Sequence, residues 1–315
     1  IQRRIDDLEK SFKVIEDAEQ TQSAAQIFME YAEEKGNVIV NTWKTSEGPL
    51  VLIERILAYN DDMEDLIRDT LNDSPVLKTA LGKALKLVIN GSRSDDDECV
   101  LSTIVPEYLA KYTEVVSKRS SSIEEMVNKL KKLFSIYEFL DNKDLFEYYY
   151  TNSVAKRMLL KGYNEEVTSE NNVLNMFNSQ FSNGFSEKIK VMVRDLQTSK
   201  ELSEKFHMVS DVQFPFFVNI LKTAAWPFEP QQYLCTLPEI LQRPLDLFAQ
   251  WYGTINPRCK LSWLHQYSRG KITALYLPKK YSFFGSAYQI SLLVLFNDRK
   301  QYTLKELFEA IRLTV

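Results

Sequence analysis

The sequence predicts a mainly α-helical protein that ends in a mixed α/β segment. Helix breakers are scarce, since the 315 residues include 9 glycines and 10 prolines, and long elements with few tight turns are typical of helices. Apolar residues recur at helical spacing through about the first 210 residues. After Asp211 the pattern changes to short β-favouring runs separated by turns, which adds strands to the predicted fold.

The first helical stretch is predicted over about 35 residues, where apolar side chains share one face. These side chains are Ile1, Ile5, Leu8, Phe12 and Ile15. Gly36 is expected to end this stretch as a C-cap. Two more helices are expected to begin at Pro49 and Pro75, because proline suits the first turn of a helix. The polar, acidic run at residues 91–98 is predicted to link two domains, with a solvated loop inside one domain as the alternative.

A second group of helices is predicted between Val105 and about Ser210. Ser122 and Glu125 have the spacing of a capping box, which places a helix start there. Residues 172–192 carry a further apolar stripe. Four helices joined by polar loops indicate a bundle.

The last third of the chain is predicted to hold short strands followed by a helix. Gln266 to Gly270 is expected to be a hairpin-like connection, and residues 288–290 are a further candidate strand. The apolar run at residues 292–296 is expected to be buried. Thr303 and Glu306 form a second capping-box pattern. The main predicted strands are residues 217–221, 260–264 and 272–276.

Composition narrows the function classes. The net charge is −4, so a broad basic face for nucleic acid is not expected. No apolar run reaches the roughly 18 residues that a membrane span needs, and no secretory signal opens the sequence. The three cysteines, Cys99, Cys235 and Cys259, fit no disulfide framework, which favours the cytoplasm and nucleus. Because the chain begins at Ile1 without a methionine, we expect a fragment of a longer protein.

The sequence has few of the residues and none of the motifs that usually form a catalytic site. Only two histidines occur, His207 and His265, and neither has metal-ligand spacing with a cysteine. The sequence also lacks phosphate-binding glycine motifs and a nucleophile elbow. We therefore expect no catalytic residue, no metal and no cofactor.

Two small basic pairs are candidate contacts with an acidic partner. The first is Lys156 with Arg157, and the second is Lys279 with Lys280. Solvated surface is the alternative interpretation for both pairs.

Several blocks carry a resemblance to a known family. Residues 141–150 read DNKDLFEYYY and residues 154–160 read VAKRMLL, a succession that resembles the cullin homology signature. Later blocks follow in the family's order. They are FSEKI at 185–189 with Met192, Asp195, Ser199 and Lys200; VNIL at 218–221 with WP at 226–227; LPE at 237–239; KLSW at 260–263; and LLVLFN at 292–297.

The resemblance covers about residues 50–315, and six blocks in order make it specific. The sequence departs from the family where Phe181-Ser182 replaces a Cys-Gly pair and where Pro257-Arg258-Cys259 replaces a glycine before Arg-Lys-Leu. It is therefore a divergent member, similar in character to fungal cullins. The resemblance implies four domains. They are the end of the third helical cullin repeat (1–92), a four-helix bundle (93–210), an α/β domain that binds the RING subunit (211–300) and the start of a truncated winged-helix region (301–315).

The resemblance also implies a function. Cullins are non-catalytic scaffolds of RING ubiquitin ligases, in which a RING-box protein adds a strand to the α/β domain and recruits the ubiquitin-conjugating enzyme. A substrate adaptor binds the N-terminal half, which this chain lacks, and the lysine that accepts a ubiquitin-like modifier lies beyond Val315. No membrane or direct nucleic-acid partner is implied. The residues implied to bind the RING subunit are Phe217, Val218, Ile220, Trp226, Lys260, Leu261, Trp263, Ile272, Ala274 and Tyr276.

Two other functions fit parts of the sequence. A helical tethering protein without a ubiquitin role would also have long amphipathic helices, but the α/β segment after residue 211 argues against it. An enzyme with a cryptic site would need a histidine-, cysteine- or glycine-based constellation, which the sequence pattern does not offer.

Overall fold

A computed structural model describes residues 21–91, 100–119, 122–161, 183–229, 236–276 and 278–312. The chain divides into two compact units, Ile1–Val191 and Met192–Val315. The first predicted helix up to residue 20, the 92–98 part of the predicted linker and the predicted helix before Asn183 lie outside the described residues. The predicted fold class, mainly α with a later α/β segment, is confirmed.

The first unit is built from helices. The helices are α1 (Thr21–Thr42), α2 (Pro49–Thr70), α3 (Pro75–Asn90), α4 (Val100–Arg119), α5 (Ile123–Tyr137), α6 (Lys143–Lys161) and α7 (Asn183–Val209), which continues into the second unit from Met192. Helix α1 packs along α3, and α4 packs on α6 as well as on α2, α3 and α5. Helices on both sides of residues 92–98 therefore share one unit, while the finer division into domains at 1–92 and 93–210 stays a prediction.

Local capping predictions hold in this unit, but the interpretation of Gly36 was wrong. Pro49 and Pro75 occupy first-turn positions, and the Ser122 hydroxyl accepts the Glu125 amide at 3.1 Å. Gly36 lies inside α1 and is buried. A Cβ at Gly36 would lie 2.5 Å from Val88 Cγ2. Glycine is required here because two helices approach closely, and not because a helix ends.

In its described residues, the second unit contains the rest of α7, an extended segment, three more α-helices and a two-stranded sheet. Its core is formed by Phe206, Val218, Phe248 and Tyr252, with Trp263 packed against it. The elements are α8 (Glu239–Ile255), β1 (Arg269–Ala274), β2 (Tyr281–Ser286), α9 (Ala287–Leu295) and α10 (Leu304–Ile311).

The strand predictions were only partly right. β1 pairs antiparallel with β2, and Ile272 lies opposite Phe283. The hairpin connection therefore lies between Ala274 and Tyr281, and the prediction of a connection at residues 266–270 was wrong. The predictions of strands at residues 217–221 and 260–264 were wrong, because neither range pairs with a strand in the described residues. β1 begins and ends earlier than the predicted strand at 272–276.

The candidate strand at residues 288–290 is instead part of α9. Ser286 and Gln289 form a reciprocal capping box, so the chain turns into a helix there. The run at residues 292–296 was expected to be buried, but Leu293 and Phe296 are 45% and 44% exposed. The capping box predicted at Thr303 is confirmed, with both of its hydrogen bonds present.

Candidate protein-binding site

An extended segment, residues 216–222, runs beside α7 and is held by serine side chains. The Val218 amide donates to Ser203 Oγ at 3.1 Å, and the same hydroxyl donates to the Val218 carbonyl at 3.2 Å. The Ile220 amide donates to Ser199 Oγ at 2.7 Å. Both serines are buried, at 3% and 1% exposure. Each hydroxyl therefore takes the place of a neighbouring strand's backbone groups.

Two more contacts extend this arrangement at its ends. The Lys222 amide and the Trp226 indole N–H both donate to Asp195 Oδ2, at 2.9 and 3.1 Å. At the other end the Phe216 amide donates to His207 Nε2 at 3.4 Å. We call Asp195, Ser199, Ser203 and His207 the α7 ladder.

The spacing explains why a helix can pair with an extended chain. Ladder residues recur every four positions on α7, and their amide donors recur every two positions along residues 216–222. Four helical residues rise about 6 Å, and two extended residues span roughly 6.6 Å. The two repeats match closely enough for successive contacts to form.

The other edge of the segment is open. Along an extended chain, the backbone groups of successive residues point to opposite sides. Within the described residues, no hydrogen bond reaches the amides of Phe217, Asn219 or Leu221. Phe217 is 74% exposed and Asn219 is exposed too. We call this row of backbone groups the open edge; such a row is a template for another strand.

The segment is also anchored through its alternate side chains. Val218 is 8% exposed and belongs to the core with Phe206 and Phe248, whose ring centroids lie 5.1 Å apart. Ile220 is half-buried against the same core. The core and the α7 ladder thus hold the segment on two sides and leave the third free.

The β1–β2 hairpin presents apolar side chains to solvent. Phe284 is 80% exposed, and Leu275 and Tyr276 beyond β1 are 78% and 85% exposed. Lys271 Nζ lies 5.6 Å from the centroid of the Phe284 ring. Clustered exposed apolar residues of this kind mark interaction surfaces.

The same region is strongly basic. Residues 256–305 contain nine lysines and arginines against one acidic residue, Asp298, a net charge of +8 in a chain whose net charge is −4. All nine basic residues are exposed, so the local field favours acidic surfaces.

The residues predicted to bind the RING subunit fall into three groups. Phe217, Lys260 and Tyr276 are exposed, while Ile220, Leu261, Trp263, Ile272 and Ala274 are partly buried. Val218 and Trp226 are buried, at 8% and 4% exposure. Trp226 is enclosed and donates its indole N–H to Asp195. Contact between these residues and a RING subunit stays a prediction.

The basic pair on α6 is also divided. Lys156 is exposed, whereas Arg157 is 5% exposed and donates from Nη1 to Ser153 Oγ at 3.2 Å. Ser153 in turn bonds to Glu114. The Arg157 guanidinium is thus held inside the helical unit, and contact of this pair with an acidic partner stays a prediction.

The geometry offers backbone and surface recognition. In the described ranges, no group of three His, Cys, Asp or Glu side chains is arranged to hold a metal ion. Burial lowers the pKa of His265 from its ordinary value of 6.5. None of the helices in the described part of the chain is both long enough and apolar enough to cross a membrane.

Sequence reasoning missed the role of the α7 ladder. Asp195 and Ser199 had been noted within a family block, but Ser203 had not been singled out. A polar residue at every fourth position from Asp195 to His207 is the sign that the sequence offers. On its own that pattern equally describes a solvated helix face.

The chain matches two domain models of one family over most of its length. Residues 1–203 match the cullin alpha solenoid domain, and residues 220–315 match the cullin alpha+beta domain.

Curated relatives agree with these matches. Cullin-1 of Caenorhabditis elegans is 26% identical over 83% of this chain and 34% of its own length. Cullin-1 of Schizosaccharomyces pombe is 27% identical over 82% of this chain and 34% of its own. Cullin-2 of Caenorhabditis elegans is 27% identical over 90% and 38%. The chain spans about a third of the length of these relatives. Because the fungal and animal relatives match equally well, the similarity to fungal cullins stays a prediction.

Proposed function

This chain belongs to the cullin family, and we propose that it is the C-terminal half of a scaffold subunit in a cullin-RING ubiquitin ligase. It binds a RING-box protein through its second unit and catalyses nothing itself. The RING-box protein holds the ubiquitin-conjugating enzyme, and a substrate adaptor binds the part of the scaffold that precedes this chain. The complex works in the cytoplasm and nucleus.

The open edge is the observation that carries this proposal. Phe217, Asn219 and Leu221 offer backbone groups that nothing in the described residues pairs. A segment of the RING-box protein adds to this edge as a strand, with main-chain hydrogen bonds supplying affinity. Because the edge is already anchored on its far side, it loses little further conformational entropy when a strand adds to it.

The hairpin supplies the second part of the surface. The exposed rings of Phe284 and Tyr276 are covered by apolar residues of the RING-box protein, which removes them from water. The exposed lysines at 279 and 280, and Lys156 on the helical unit, face acidic surfaces of partner proteins. These charges raise the rate of association more than the final affinity.

The mechanism of such a scaffold is positional. Holding the substrate and the charged conjugating enzyme on one body replaces a bimolecular encounter by a local search at raised effective concentration. The zinc ions and the nucleophile of the reaction belong to the partner proteins. The chain's own residues bind and orient.

The proposal is tested by co-expressing this chain with a RING-box protein and separating the product by size-exclusion chromatography. A one-to-one complex is expected. Phe284→Ser should weaken it about tenfold, because the ring lies on the proposed surface. Tyr148→Ser is the matched control, since Tyr148 is also exposed, at 61%, but lies on α6 in the first unit.

Two outcomes would contradict the proposal. A folded chain that ignores the RING-box protein would leave the family assignment intact but move the function toward helical tethering. An equal effect of the Phe284 and Tyr148 substitutions would show that the hairpin is not part of the surface.

A further inference from the structure

We propose that Asp195, Ser199 and Ser203 are positioning residues that fix the register of residues 216–222, and so decide which backbone groups form the open edge. The alternating protection of the free chain follows from the α7 ladder alone. The consequence for partner binding rests on the proposed function.

The two serines satisfy the backbone groups of the segment that face α7. One hydroxyl, Ser203 Oγ, serves both the N–H and the C=O of Val218. Ser199 Oγ accepts the Ile220 amide and donates to the Asp195 carbonyl at 2.6 Å. Alanine at either position would leave buried backbone groups without a partner, which is costly. Threonine would add a methyl group where the serine is almost fully enclosed.

A one-residue shift of the segment along α7 would disrupt both the ladder and the core. A shift of one residue would present Phe217 to the serines and turn every side chain of the segment to the opposite face. Val218, now in the core, would then face solvent, and Phe217, now 74% exposed, would replace it. The α7 ladder and the core thus select the same register, and the open edge is left to Phe217, Asn219 and Leu221.

The α7 ladder places weak helix formers at buried positions, which lowers the stability of α7 itself. Asp195, Ser199 and Ser203 are each at most 5% exposed. At buried helix positions an aliphatic side chain would contribute more through burial, and serine and aspartate are weaker helix formers. Their presence is explained if the extended segment, and not the helix, is what they stabilise.

The test is residue-resolved amide hydrogen exchange of the whole chain by NMR. In the free wild-type chain, the amides of Val218, Ile220 and Lys222 should exchange at least about tenfold more slowly than those of Phe217, Asn219 and Leu221. No variant is needed for this comparison, so a folding defect cannot obscure it. Uniform exchange along residues 216–222 would overturn the proposal.

A matched pair of variants then assigns the effect to the serine. Ser203→Ala should speed exchange at Val218 about tenfold while Lys222 keeps its protection. Thr198→Ala, an exposed position on the same helix, should change neither rate. If both variants behaved alike, Ser203 would not be the positioning residue.

Adding a RING-box protein separates the two proposals. Two results together support both the positioning role and strand addition. The partner slows amide exchange at Phe217, Asn219 and Leu221 in the wild type, and Ser203→Ala reduces both this slowing and the affinity for the partner. If the alternation is present in the free chain but the partner leaves these three amides unchanged, the positioning role stands and strand addition at this edge is refuted.

Discussion

Helices α3 and α7 each hold a different non-helical segment through residues spaced four positions apart. The segment held by α3 has its backbone amides satisfied, whereas the segment held by α7 keeps one edge open. On α3, the Asn90 side chain donates to the Phe139 carbonyl at 2.9 Å and accepts the Asp141 amide at 3.0 Å. One turn earlier, Lys86 Nζ lies 2.9 Å from Asp141 Oδ1. Another turn earlier, Gly82 leaves room for the Phe139 ring, which a Cβ would approach to 2.9 Å.

The loop held by α3 is closed. The amides of Phe139 and Leu140 donate to the carbonyls of Ile136 and Tyr137, so the consecutive amides from 139 to 141 all have partners. In the segment held by α7, hydrogen bonds within the described part of the chain reach alternate amides only. The same four-residue spacing thus goes with a fully hydrogen-bonded loop in the first unit and with an open backbone edge in the second. The difference lies in the segment: a loop turns its polar groups inward, whereas an extended chain always presents a second row.

The largest expected effect comes from opening the closed loop. Asn90→Ala should lower the free energy of unfolding by about 3 kcal/mol, because the Phe139 carbonyl and the Asp141 amide lose their buried partner. Denaturant unfolding followed by far-UV circular dichroism measures it. Asn41→Ala, at an exposed position on α1, is the control and should change stability little. Equal effects of the two substitutions would contradict the view that the loop is closed by Asn90.

A smaller effect is expected from crowding the helices that carry this loop. Gly36→Ala should destabilise the first unit by about 1–3 kcal/mol, because its Cβ meets the buried Val88 side chain. The double variant with Val88→Ala should be less destabilised than the sum of the two single changes, since the smaller side chain makes room. Strict additivity in this cycle would show that Gly36 and Val88 do not crowd one another.

The smallest effect concerns a closed polar pair in the second unit. The Thr303 amide and hydroxyl both donate to Glu306 Oε2, at 2.8 Å each, and the amide bond in particular lowers the Glu306 pKa from its ordinary value of 4.5. A lowered pKa stabilises the folded form above that value, and the contribution is lost as pH falls through the folded pKa. In Thr303→Ala the Glu306 pKa should rise partway toward 4.5, as measured by NMR titration. An unchanged pKa would assign the whole shift to the backbone amide.

Features that depend on neighbouring residues could be predicted from the sequence. The capping patterns at Ser122 and Thr303 involve residues three apart. The Ser122 hydroxyl accepts the Glu125 amide, and at Thr303 both hydrogen bonds of the box are present. Ser286 and Gln289 have the same spacing, which indicates a helix start. The β-favouring residues 288–290 predicted a strand instead, and this prediction was wrong.

Features that depend on distant residues could not be predicted. From the sequence alone, Gly36 predicts a helix end. Its actual role depends on Val88, which lies 52 positions later in the sequence and packs against it. The partner of β1 was missed because the connection after Ala274 has none of the short glycine or asparagine turns that identify a hairpin. The open edge is of the same kind, since the serines that expose it lie 15 to 21 positions before the residues they hold.

The most direct test of the account is the affinity of the RING-box protein for two variants at one open-edge position. Asn219→Pro removes a backbone donor that has no partner in the described residues of the free chain, while Asn219→Ala removes only the side chain. Calorimetric titration should show about tenfold weaker binding for the proline variant, about 1.4 kcal/mol, because the partner strand loses a main-chain hydrogen bond. The alanine variant should bind like the wild type. Equal affinity of the two variants, with both folded, would contradict strand addition at this edge.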